Sequence, residues 1–201
     1  MTLSFFEQPA NTREEILAAA YSAIYTHGYA DLTIQKIGQE FDKSSSLLYH
    51  YYSDKDELLL ECLEFMLDRY GEHLAETDIE DAQVALNELF DTYLDPEPEP
   101  SQRQFTTVLV ELRAQAAHSA EYREHFTRSD RFFESKLADA IELGIEQGTF
   151  RKRNPETTAT LLYTLLIGIM MRSVTVSGEG WQPAARTELE AVLETTLYHA
   201  G

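Results

Sequence analysis

Four helix-start signals are crowded into roughly the first 55 residues, which leaves room there for only short, closely packed helices. Thr12-Arg-Glu-Glu15 fits a capping box, in which a hydroxyl accepts from a backbone N–H three residues on and a glutamate reaches back. Thr33 and Ser44 carry hydroxyls suited to the same task. Ser53 does so again with Asp56 at the reciprocal position, so the last two starts lie only nine residues apart.

Apolar spacing fills in the helices behind these caps. The first is predicted over 12–27, with Ile16, Leu17, Ala20, Tyr21 and Ile24 on one face and Gly28 as its stop. A second, 33–40, buries Ile34, Ile37 and Phe41, and Asp42-Lys43 make the turn to a third of about two turns. The fourth carries Leu58, Cys62, Phe65 and Met66 to about Ala75. Further helices are expected near 79–94, 102–117, 121–147, 155–176 and 184–199, divided by the exposed run Asp95-Pro-Glu-Pro-Glu-Pro100, by His118-Ser119, by Gly148 with the Asn154-Pro155 start, and by Gly178-Glu-Gly180. Strand and hairpin signals are nearly absent. The expectation is an all-α chain of about nine helices, split into a small N-terminal domain, 1–55, and a larger one, 56–201.

Composition narrows the setting. One cysteine, Cys62, cannot form an intramolecular disulfide, and no charged-then-apolar leader opens the chain, so a cytoplasmic location is expected. The longest apolar run, Leu161 to Met171, is interrupted by Thr164 and Gly168 and falls short of the roughly 20 residues that span a bilayer. It reads as a buried helix with no membrane role. The net charge of −19 is spread along the chain and is similar to the acidic surfaces of proteins from salt-accumulating halophiles, where carboxylates keep a protein hydrated.

Residues 33–52 have the grammar of a helix-turn-helix: a positioning helix, a sharp turn, and a second helix whose exposed start enters the major groove, about 12 Å wide. Leu48 and Tyr52, four apart, face the core, leaving Ser45, Ser46, Tyr49 and His50 outward. Tyr49 can donate to a phosphate. Lys55, in the first turn of the fourth helix, adds a cation beside backbone N–H groups that already favour an anion.

Gly28-Tyr-Ala-Asp-Leu-Thr33, Ile37-Gly38, Ser44 and Leu48-Tyr-His-Tyr-Tyr-Ser-Asp-Lys55-Asp-Glu-Leu58 together resemble the signature of the TetR family of transcriptional regulators over about residues 12–60. The resemblance implies a DNA-binding domain joined to a helical ligand-sensing and dimerisation region. Carried over, it implies base reading by Gln35, Ser45, Ser46, Leu47 and Tyr51, with phosphate contacts from Thr33, Ser44, Tyr49 and Lys55 and His50 on the same face. Two positions depart from the pattern: Asp42 stands where the family usually has Gly, and Ser46 where Gly or Pro is common. Downstream, Glu111 to Arg123 and Gly148-Thr-Phe150 with Pro155 are similar to the C-terminal regions of the choline-regulator, BetI-like class.

Other readings are weaker on the same residues. The Tyr49-His50-Tyr51-Tyr52 run could stack single-stranded bases, but rings on a short helix point in different directions. No metal-ligand motif accompanies the six histidines, although His118 and His125 are seven apart. Catalysis would have to use dispersed carboxylates such as Glu111, Glu134 or Glu142 with no nucleophile elbow or phosphate loop, and no cofactor motif is present. Residues 11–59 hold four lysines and arginines against eight acids, which favours the rival of a dimeric helical interaction or small-molecule-binding protein that has kept the fold without binding DNA.

Three further expectations concern the second domain. Phe105, Val108, Leu109, Leu112, Phe126, Phe133 and Leu137, with Phe132 and Ile141, form an apolar stripe that reads as core, or as the pocket of an unknown small-molecule effector, apolar or cationic. Leu162, Tyr163, Leu166, Met170, Leu189, Val192, Leu193 and Leu197 are expected to pair with a second copy. Such a homodimer would read palindromic double-stranded operator DNA on successive major grooves, with ligand and operator opposed.

Overall fold

The computed structural model describes residues 6, 9–41, 45–76, 79–177 and 180–199. Among them the chain forms nine α-helices: α1 (Thr12–Asp31), α2 (Ile34–Gln39), α3 (Leu48–Tyr51), α4 (Lys55–Glu76), α5 (Ala82–Leu94), α6 (Pro100–Gln115), α7 (Ala120–Glu146), α8 (Pro155–Thr175) and α9 (Trp181–Thr196). A single 3-10 turn, Ser45–Leu47, leads into α3. The all-α expectation holds, with one isolated bridge, Phe150 to Tyr198, as the only extended pairing among the described residues.

Two helix caps fall one residue from those the sequence marks, and α5, α6 and α9 begin at Ala82, Pro100 and Trp181 against the expected 79, 102 and 184. Asn11, not Thr12, caps α1: its side-chain oxygen accepts from the Glu14 amide at 3.1 Å, and the Glu14 carboxylate accepts from the Ala10 amide at 2.9 Å. Asp54, not Ser53, caps α4, accepting from the amides of Asp56 and Glu57 at 2.9 Å each, while Glu57 accepts from Ser53. Each true cap is Asn or Asp beside a hydroxyl, and the carboxylate at Asp54 also complements the positive end of the helix dipole. Thr33 and Asn154 cap α2 and α8 as expected, accepting from Lys36 at 3.2 Å and Thr157 at 2.8 Å. The Ser44 cap lies outside the described residues.

The chain divides into two compact units. Residues 1–77 with 104–127 form the first; 78–103 with 128–201 form the second. This division differs from one at residue 55, because the end of α6 and the start of α7 belong with the N-terminal helices. The core of the first unit is built from Ile16, Leu17 and Ile24 of α1, Ile37 of α2, Leu48 of α3 and Leu58 of α4, joined by Val108, Leu112, Tyr122 and Phe126. At about 25 cal/mol per Å² of apolar surface, each fully buried leucine or isoleucine contributes about 1.5–3 kcal/mol.

In the second unit α5 packs against α8 and α9. Leu86 and Phe90 of α5, Leu162 and Leu166 of α8 and Leu193 of α9 are buried there. Phe150 lies flat against α7 at Gly144, where an added Cβ would come within 2.3 Å of the ring, and it stacks on Tyr198 with centroids 5.4 Å apart. Arg151 then donates to the carbonyls of Tyr198 and Thr195 at 2.7 and 2.9 Å, and Arg153 to that of Thr196 at 2.7 Å, which places two cations on the negative end of α9.

The face expected to dimerise is largely spent inside the protomer. Leu162, Tyr163, Leu166, Met170, Leu193 and Leu197 are between 2 and 9% exposed, Leu189 is half-buried, and only Val192 is open at 50%. The exposed apolar residues of α8 are instead Leu161, Leu165 and Met171, one position away from the buried ones. Nor is α8 simply a buried helix. It is long and apolar enough by composition to cross a membrane, the only such helix among the described residues.

Candidate nucleic-acid interface

Both helices of the expected helix-turn-helix form, the second as the 3-10 turn Ser45–Leu47 running into α3, and the Asp42-Lys43 turn between them lies outside the described residues. Ile34 and Ile37 anchor α2, Leu48 and Tyr52 anchor the second helix, and these apolar residues pack on α1 and α4. What remains outside is a short face. Ser46, Tyr49 and His50 are exposed at i, i+3 and i+4, with Tyr49 at 56%; Tyr51 beside them is 45% exposed, and its ring meets that of His50 edge-on at 5.7 Å. Gln35 and Thr33 are exposed on α2, while Leu47 is half-buried against the core. Ser44 lies outside the described residues, as does the side chain of Ser45.

Both described lysines of this region are already engaged with the end of α1. Lys36 Nζ donates to the Asp31 carbonyl at 2.8 Å. Lys55 Nζ donates to the Tyr29 carbonyl at 2.8 Å and stands 4.1 Å above the Tyr29 ring. An ammonium has three donors, so one remains for an anion after the carbonyl and the ring are served. Sequence reasoning found Lys55 but missed this partner.

The residues that hold the interface in place include several that spacing alone does not reveal. Arg13 of α1 pairs with Glu61 of α4. Asp56 accepts from the hydroxyls of Tyr29 and Tyr122 at 2.8 and 3.1 Å, and Glu111 accepts from the Tyr29 amide at 2.7 Å. Burial and then Asp56 push the Tyr29 phenol up to about 12, so it stays a donor at neutral pH.

The other candidates separate. His125 is buried with Nδ1 2.8 Å from Glu64, whereas His118 is exposed in the turn before α7, so the two do not form a pair. Among the described residues no group of three His, Cys, Asp or Glu is placed to hold a metal. The stripe expected to line a pocket divides between two cores: Val108, Leu112 and Phe126 lie in the first unit's core with Phe105 and Leu109 packed against it, while Phe133 and Leu137 belong to the second unit. Apolar spacing along α6 and α7 shows that a face is buried, and does not show against which core.

A family model described as BetI-type transcriptional repressor, C-terminal, matches residues 82–198, and that of the bacterial regulatory proteins of the tetR family matches residues 16–62. The chain belongs to the TetR family. It is therefore a DNA-binding transcriptional regulator and not an enzyme. A TetR transcription regulator from Haloarcula marismortui superposes with a TM-score of 0.78 at 31% identity, covering 92% of this chain and 97% of that one. A transcriptional regulator from Saccharomonospora viridis in complex with choline has the same fold, with a TM-score of 0.77 at 24% identity over 94% and 98% of the two chains. The HTH-type transcriptional repressor AcnR of Corynebacterium efficiens is 22% identical over 90% of this chain and 92% of its own length.

Proposed function

We propose that this TetR-family chain is a cytoplasmic homodimeric repressor that reads palindromic operator DNA and is released by a small-molecule effector. The observation that carries the reading is the outward face of Ser46, Tyr49, His50 and Tyr51 above a fully buried Leu48. Gln35, Ser45, Ser46 and Tyr51 meet base edges, and Thr33, Ser44, Tyr49 and Lys55 meet phosphates. Leu47, half-buried, contributes only its outer edge. In this reading residues 1–55 bind DNA and 56–201 sense the effector and dimerise.

The dimer forms through the exposed stripe Leu161, Leu165, Gly168 and Met171 of α8, with Val192 of α9, rather than through their buried neighbours. Apolar residues left open at i, i+4 and i+10, with the small Gly168 between them, favour a symmetric partner that covers them. The effector is proposed to be a small organic cation. Asp130 accepts from the Tyr163 hydroxyl at 3.0 Å, and Phe133 stacks on Tyr163 at 6.2 Å, which supplies a carboxylate and ring faces together. The choline bound to the Saccharomonospora viridis regulator supports the same class.

Selection of duplexes from random or genomic DNA by the purified chain tests the reading, followed by titration with choline and other quaternary amines. Enrichment of an inverted repeat, weakened by a cation that no longer binds Asp130→Asn, is the expected result. If no duplex is enriched, the rival of an interaction protein without DNA binding takes its place.

A further inference from the structure

Each polar group of Tyr29 is taken by a different partner. Its amide donates to Glu111 of α6 at 2.7 Å, its carbonyl accepts from Lys55 Nζ at 2.8 Å, and its hydroxyl donates to Asp56 of α4 at 2.8 Å. The same Asp56 oxygen accepts from Tyr122 of α7 at 3.1 Å, and the Tyr122 ring meets that of Tyr29 edge-on at 6.4 Å. The arrangement depends on Gly28, whose backbone leaves the helix at φ 69° and ψ 159° and so turns the Tyr29 amide away from the α1 ladder toward Glu111. A side chain at residue 28 would also stand 3.4 Å from the Glu111 carboxylate.

We propose that Glu111 and Tyr122 are positioning residues for DNA binding, which set the placement of Lys55 and of the recognition helix through Tyr29 and Asp56. The inference rests on the DNA-binding reading of the Ser46–Tyr51 face. All five residues lie in the first unit, while α6 and α7 both continue in the chain beyond it. Neither Glu111 nor Tyr122 is on the exposed face of α3; Tyr122 is only 1% exposed. Their action on DNA is therefore through others.

The physical basis is the steepness of hydrogen-bond geometry. A shift of about 1 Å in α6 or α7 takes contacts of 2.7 and 3.1 Å out of bonding range. Asp56 then loses one of its two phenol donors and its negative charge is less well satisfied one residue from Lys55. The Tyr29 carbonyl, which directs the Lys55 ammonium, is then held only by the long contact from the Leu32 amide at 3.4 Å. Recognition-helix placement follows because Tyr52 and Asp54 connect α3 to the start of α4.

The test uses the full chain and a fluorescent duplex recovered from random-sequence DNA by the wild-type protein. Glu111→Gln and Tyr122→Phe are each expected to weaken binding at least threefold, with the double variant weaker by less than the product of the two. In an Asp56→Ala background, where the shared acceptor is gone, Tyr122→Phe should have no further effect. A role in stability alone would lower the melting temperature and leave the affinity of the folded molecules unchanged. Hydrogen exchange, which needs no DNA, is the second readout: peptides covering 28–36 and 48–58 should exchange faster in both variants while those of α8 and α9 do not change. Affinities within twofold of wild type, strict multiplicativity, or unaltered exchange at 28–36 would overturn the proposal. A wild-type chain that recovers no duplex removes the DNA reading on its own, and the exchange result then decides whether the Tyr29 cluster is a junction at all.

Discussion

The ammonium of Lys55 donates to the carbonyl of Tyr29 at 2.8 Å while standing 4.1 Å above the ring of the same residue. One side chain thus ties the start of α4 to the end of α1, at the point where the family's phosphate contact is expected. Removing it should be felt twice. Lys55→Ala is expected to lose about 1–2 kcal/mol of stability, from one hydrogen bond and one cation–π contact, and to weaken DNA binding as well. Tyr49→Phe, at a side chain 56% exposed, should leave the melting temperature unchanged and weaken DNA binding about tenfold, as expected for loss of a hydrogen bond to a charged phosphate. Thermal melts alongside anisotropy titrations separate the two effects.

Gly144 has no space for a methyl group. Because the Phe150 ring occupies that position, Gly144→Ala is expected to cost about 1–3 kcal/mol by overpacking, and Phe150→Leu in the same chain should recover part of it. Urea titrations of the two variants and the double variant measure this. A Gly144→Ala chain as stable as wild type would mean that the ring is not held against α7.

Stability should fall in alkali. Burial holds the phenols of Tyr29 and Tyr198 up to about 12 against an ordinary value of 10.0, and those of Tyr21, Tyr52, Tyr70 and Tyr122 are also raised. A raised folded value means that the unfolded chain ionises first, so this stabilisation is complete below pH 10 and is lost as pH climbs through the folded values. Melting temperatures should be flat from about pH 8 to 9.5 and drop beyond. Tyr198→Phe should make the drop shallower.

Salt dependence should be unusual for a DNA-binding protein. With four cations against eight acids over residues 11–59, few phosphates are neutralised, so the log–log slope of affinity against salt is expected to be about −3 or shallower. A slope of about −6 or steeper would contradict it.

The fold was legible because its determinants are local. Caps, Gly28 and the crowding of short helices before residue 55 are read from neighbours in sequence; the structure moves two caps by one residue, Asn11 for Thr12 and Asp54 for Ser53, and carries α1 past the break at Gly28 to Asp31. The site's exposed face followed from the burial of Leu48 and Tyr52 four residues apart. Two features were not legible. On α8 apolar residues occur on both sides of the helix, so periodicity does not say which side faces α5, and the expected dimer residues proved to be the inner ones. The pairing of Tyr29 with Glu111 joins residues 82 positions apart and depends on a backbone reversal at Gly28, which leaves no periodic trace in either segment.

Two copies of the Ser46–Tyr51 face are expected to enter successive major grooves of one duplex. Hydroxyl-radical footprinting of the wild-type chain on a selected duplex, with sedimentation giving the stoichiometry, tests it most directly. Two protomers per duplex are expected, with two protected half-sites about one helical turn apart, roughly 10 base pairs centre to centre, both lost in Tyr49→Ala and in a Leu165→Arg chain that sediments as a monomer. A single protected site, or protection that survives in the Tyr49→Ala chain, would contradict it.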